Sequence, residues 1–166
     1  MVFEIDLPLT LSLPIRAKRK KKKKDTETKE TTEKPSRHKL VYLNLNKYRN
    51  LTGADESNMK RHFKKQIIEK VQDTFETFEF KRPIQITYSL FIPDKRGRDV
   101  ANVCSIVDKY FSDVIVREGI IEDDNFRFLS RVIYQYGGED LKGAGFVRAR
   151  IEYYKGDTVE VLNERT

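Results

Sequence analysis

Apolar and polar residues alternate through residues 2–9 (VFEIDLPL), a period that predicts a short strand ending at Pro8. The alternation then stops. From Arg16 to Lys39 the chain is almost wholly Lys, Thr, Glu and Ser, a composition with no side chains to bury, which predicts a disordered low-complexity insertion. Residues 40–51 (LVYLNLNKYRNL) predict an extended segment whose Asn, Lys, Tyr and Arg side chains form a substrate-facing edge. Beyond it, Met59, Phe63, Ile67, Val71 and Phe75 recur at helical spacing, with Asp55 or Ser57 as the cap and Lys60, Arg61, Lys64, Lys65 and Lys70 on the opposite face. Such a basic face is usually only hydrated, and nucleic-acid contact is the alternative.

Residues 84–92 (IQITYSLFI) are rich in β-branched and aromatic side chains and predict a second strand. It delivers a charged turn, PDKRGRD, to a second helix opened by Asp99. In that helix Val100, Val103, Val107, Tyr110 and Val114 make one apolar stripe, Asn102, Ser105 and Lys109 share the other side, and Gly119 marks the end. An acidic turn follows (Glu122, Asp123, Asp124). Residues 126–136 and 146–154 then read as strands that pair antiparallel across a glycine-rich connection. The expected architecture is α+β: a small mixed sheet packed by two main helices, in one domain spanning 1–166 with the basic insertion at 16–39.

Composition narrows the function classes. Hydrophobic residues are 38% and charged residues 36% of the 166, and no run approaches the roughly 20 apolar residues of a membrane span. Glu4 and Asp6 interrupt the apolar opening, unlike a secretory leader. The single cysteine, Cys104, allows no internal disulfide or cysteine-based zinc site, so a cytoplasmic location is expected. The net charge is +7, yet Arg16, Lys18, Arg19 and Lys20 to Lys24 carry eight positive charges, leaving about −1 for the rest. Any general attraction for polyanions is therefore local to that run. His38 and His62 are isolated, and Cys104 faces the apolar stripe.

The remaining chemistry is oxygen and cation chemistry. Lys95, Arg96 and Arg98 lead into Asp99 and Asn102, and Glu122, Asp123 and Asp124 follow one helix length later. Clustered carboxylates are either mutually repulsive or neutralised by cations, and oxygen-only ligands suit magnesium or manganese. Taken from spacing alone, Asp99 is as well explained as a helix cap and the acidic triplet as a hydrated turn.

The stretches RGRDVANV (96–103) and GIIEDDNF (119–126) resemble the RusA-type Holliday junction resolvases of bacteria and their phages, which have an Arg-Asp-x-Asp-Asn helix start and a downstream Asp-Asp turn. The order of elements is also similar. The resemblance implies a RusA-like fold and a homodimeric, Mg2+- or Mn2+-dependent endonuclease of DNA recombination and repair that cuts four-way junctions. On it, Asp99, Asp123, Asp124 and Asn102 match catalytic positions, with Asp99, Asp123 and Asp124 as metal ligands. Lys95, Arg96, Arg98 and Lys109 would grip the DNA backbone.

Two positions depart from the pattern. Ala101 stands where the family has its second aspartate, and Ser105 where it has a lysine. A methyl group cannot coordinate a cation, so a branched-DNA binder without cleavage is the alternative function. Asp108 lies about 10 Å along the helix axis from position 101, too far to replace that aspartate.

Overall fold

The computed structural model describes residues 1–14, 38–141 and 143–156. Its elements in chain order are β1 (Val2–Pro8), β2 (Thr10–Pro14), β3 (His38–Tyr42), α1 (Leu45–Tyr48), α2 (Gly53–Phe75), β4 (Ile84–Ile92), α3 (Val100–Arg117), β5 (Leu129–Glu139) and β6 (Phe146–Tyr153). This is the expected α+β class, with a mixed four-stranded sheet in the order β1-β6-β4-β5 and a separate two-stranded ribbon of β2 and β3.

The N-terminal alternation runs further than the sequence pattern suggests. Ile5, Leu7, Leu9, Leu11 and Leu13 are all buried, so one period-2 pattern serves two strands in two sheets. Pro8 ends β1 on the outer strand of the main sheet, where a missing N–H disrupts no central ladder. The basic insertion is shorter than 16–39, because His38 and Lys39 already belong to β3. Its Lys-rich part, with the polyanion contact expected of it, lies outside the described residues.

α2 buries the five expected apolar positions, but it begins earlier than anticipated. Thr52, not Asp55 or Ser57, is the cap: its hydroxyl accepts from the Asp55 N–H at 3.2 Å and donates to the Asp55 carboxylate at 2.8 Å. Asp55 and Glu56 then lie in the first turn, where the helix dipole favours acids.

β4 is the centre of the sheet. Ile84, Ile86, Tyr88, Leu90 and Ile92 all face the helical layer and are buried. α3 carries the chain from β4 to the parallel strand β5, as a parallel pair requires. It packs on both the sheet and α2, so its buried surface is wider than one stripe and includes Cys104, Ile106, Phe111 and Ile115.

The expected antiparallel hairpin of the last two strands is not formed. β6 pairs antiparallel with β4 and β1, while β5 lies on the far side of β4. The link between them therefore passes the C-terminal end of β4, where Ile92 pairs with Glu139 and Phe91 with Phe146. There Gly145, at φ +72°, sits where a Cβ would lie 2.6 Å from Pro93 and 2.8 Å from the Phe91 carbonyl oxygen, so the crossing needs a residue without a side chain. β5 also starts at Leu129 rather than at residue 126, since 126–128 form a turn closed by Phe128 N–H to the Asn125 carbonyl.

Candidate functional site

The residues singled out by sequence gather at the two ends of α3. At its N-terminal end, Asp94 organises the basic turn, accepting from the Arg96 N–H at 3.1 Å and from the Arg98 guanidinium at 2.9 Å. Arg98 is held inward: its guanidinium carbon stands 4.8 Å from the centre of the Tyr42 ring, and both its Nε and the Tyr42 hydroxyl are buried without a hydrogen-bond partner. Burial pushes the Tyr42 hydroxyl above its ordinary pKa, and Arg98 opposes that shift. Lys95 and Arg96 are exposed and form the accessible cationic part of the turn.

Asp99 is the N-cap of α3, accepting from the Asn102 N–H at 3.1 Å, and it is exposed. Its role as a cap is thus established alongside any other it has. Asn102 faces away from that carboxylate in function: its Oδ1 accepts from the Leu45 N–H at 2.8 Å and fastens α3 to the start of α1. The Asn-rich segment expected to be extended is in part this one-turn helix, capped by Asn44 through a 2.9 Å bond from the Lys47 N–H. Lys109 is exposed, with its ammonium 5.6 Å from the Tyr48 ring centre. Ala101 is exposed, so a larger side chain there meets solvent, whereas the Ser105 hydroxyl is buried and unpartnered.

Beyond the other end of α3 lie Glu122, Asp123 and Asp124, all exposed. Asp123 accepts from the Asn125 amide at 2.5 Å and the Asp124 N–H at 2.7 Å, and these bonds hold its carboxyl below the usual range. Asp124 is shifted the opposite way, by lost hydration first and then by Asp123. Local hydrogen bonds thus favour the charged form of Asp123, and lost hydration disfavours that of Asp124.

The separation of the two ends decides what one chain can do. α3 has 18 residues, about 27 Å at 1.5 Å per residue. Asp124 turns back to line a groove between α2 and α3 with Asp113, roughly 21 Å along the helix axis from Asp99, so the two acids stand apart within one chain. Among the described residues no three His, Cys, Asp or Glu side chains are grouped to hold a metal. Asp108 is committed elsewhere, accepting from the hydroxyls of Tyr88 at 2.9 Å, Ser112 at 3.0 Å and Tyr134 at 2.6 Å. Cys104 is buried, and desolvation pushes its thiol up to about 12.

A groove between α2 and α3 was not legible in the sequence. It is lined by Lys60, Arg61, Tyr110, Asp113, Arg117 and Asp124 among others. Part of the basic face of α2 turns out to be internal to this helix pair: Lys60 bonds Asp113 at 2.8 Å, and Lys64 bonds Glu118 at 2.6 Å. Arg61, Lys65 and Lys70 remain exposed.

The fold and these side chains define an α+β protein with exposed charged residues at the start of one sheet-packed helix and in the turn that follows it. No helix among the described residues is long and apolar enough to cross a membrane. Compared with known proteins, the sequence matches no family model and no curated protein. The RusA resemblance rests on the motifs quoted for it.

Proposed function

We propose that the protein is a RusA-like, structure-selective endonuclease that uses magnesium or manganese on four-way DNA junctions, and that its two sites are shared between the subunits of a homodimer. The observation that carries the reading is the exposure of Asp99, beside Lys95 and Arg96, at the start of α3 and of Asp123 and Asp124 in the turn that follows the helix. A twofold axis crossing α3 near Lys109 brings each Asp99 to the partner's acidic turn and makes two equivalent sites, which suits cutting two strands. Lys109 and Arg117 are exposed on α3, and Asp113 between them is paired with Lys60 of α2. In this arrangement Asp99, Asp123 and Asp124 hold the ion, which supplies positive charge to a phosphodiester, and Lys95 and Arg96 hold neighbouring phosphates.

A second reading has its own observation: Ala101 removes one ligand from the helix start. On that reading the protein binds branched DNA and does not cut it. Synthetic four-way junctions incubated with purified protein and manganese separate the two. The enzyme cleaves them, and Asp99→Asn or Asp124→Asn abolishes cleavage. The binder retains junctions over linear duplex in a mobility-shift assay, leaves them intact, and gains cleavage only with Ala101→Asp.

A further inference from the structure

Among the described residues β3 pairs with β2 alone, so one of its edges is unused. The Leu43 N–H donates to the Leu9 carbonyl at 2.8 Å, and opposed residues of an antiparallel pair alternate between bonded and unbonded positions. Val41 and Lys39 are therefore the residues bonded to β2, while Leu40, opposite Ser12, turns its N–H and C=O away from it. A groove of about 600 Å3 runs along that outer edge. Its lining includes three consecutive residues of β3, Lys39, Leu40 and Val41, which one strand face cannot supply because side chains alternate between faces. Lys47 and Leu51, from α1 and the chain just beyond it, line it too. Leu40 is 76% exposed. Lys39 and Lys47 are exposed and in no ion pair, and no acid among the described residues lines the groove. The groove thus combines an unpaired strand edge, an exposed leucine and two uncommitted ammonium groups.

We propose that this edge takes up an extended acidic segment of a partner protein as an added strand, with an apolar side chain beside Leu40 and carboxylates reaching Lys39 and Lys47. Strand addition draws affinity from main-chain hydrogen bonds and specificity from alternate side chains. Charge selects the occupant. A second copy of this chain would set the cations of two β3 edges side by side, the means by which edge lysines discourage self-pairing. A nucleic acid would meet the lysines but leave Leu40 and the main-chain groups of the edge unused. A segment alternating acidic and apolar residues uses all three features, since its period of two puts carboxylates and apolar groups on opposite faces, as Lys39 and Leu40 are. The inference goes beyond the nuclease reading and stands or falls without it.

Fluorescence anisotropy of the full chain with a labelled, end-blocked peptide that alternates valine and glutamate tests this. The peptide should bind, and bind more weakly as salt rises. Peptides with lysine in place of glutamate, or with glutamate at every position, should not bind. Two further versions carry N-methyl groups on one or the other set of alternate amides. Only the set facing β3 donates to it, so one version should lose binding and the other keep it. Leu40→Ser should weaken the first peptide about tenfold through lost apolar contact, with the thermal midpoint unchanged because this side chain is exposed. Lys39→Glu combined with Lys47→Glu should abolish binding of the glutamate peptide. No binding of the first peptide, equal binding of the lysine or all-glutamate peptide, equal behaviour of the two methylated versions, or unchanged affinity in Leu40→Ser would each overturn the proposal.

Discussion

At the scale of single residues, Asp99 is a helix cap to which the proposed function adds a second role. Its carboxylate caps α3, so a variant that loses activity could have lost a helix end rather than a metal ligand. Asparagine and aspartate are comparable N-caps, and alanine is a poor one. Asp99→Ala should therefore lower unfolding free energy by about 1 kcal/mol, while Asp99→Asn should stay within about 0.5 kcal/mol of wild type, both read from urea denaturation. If Asp99→Asn is as unstable as Asp99→Ala, the cap depends on charge and the variant cannot isolate a chemical role. Ala101, exposed in the same first turn, has no such conflict, which makes it the cleaner position for adding a carboxylate.

At the scale of elements, α2 and α3 are joined across the groove by ion pairs as well as by apolar contact. Lys64 holds Glu118 at 2.6 Å with both side chains less than a third exposed, and this bond lowers the Glu118 pKa. A carboxylate depressed by folding adds stability above its unfolded pKa, about 4.3, and loses that contribution as pH falls through the lower folded value. Lys64→Met should therefore cost about 0.5–1 kcal/mol at pH 7, and its difference from wild type should vanish as denaturation is repeated at decreasing pH below about 4. A difference that persists in acid would assign the effect to the lysine stem instead. This pairing also shows what the sequence could convey. The apolar stripe of α2, the span of β4 and the cap of α3 were legible because each depends on neighbours within a few residues. The inward turn of Lys60 and Lys64 was not, because it depends on where α3 packs. Nor was the position of β6: a short glycine-rich connection suggests a hairpin, and only long-range pairing places β4 between the two strands. At the candidate site the sequence names charged residues and their order along the chain, whereas the packing of α3 decides where each one stands.

At the scale of the whole molecule, the separation of the two acids within one chain becomes the strongest test. If one subunit supplied both Asp99 and Asp124 to a site, mixing an Asp99→Asn chain with an Asp124→Asn chain could restore nothing, since every chain would carry one defect. With sites shared across a twofold axis the outcome differs. In a mixed dimer one site receives both defects, while the other receives the intact Asp99 of one chain and the intact Asp124 of its partner. Random assortment makes half of all dimers mixed, so the co-refolded mixture should recover about one quarter of the wild-type sites. These dimers should nick junctions on one strand rather than cut both symmetrically, a difference visible on denaturing gels of end-labelled DNA. Each variant alone must be inactive and the wild type active for the comparison to hold. Complementation under those conditions would demonstrate a shared site, and its absence, with mixed dimers confirmed by mass spectrometry, would refute the arrangement in which α3 separates the acids within a chain and dimerisation reunites them.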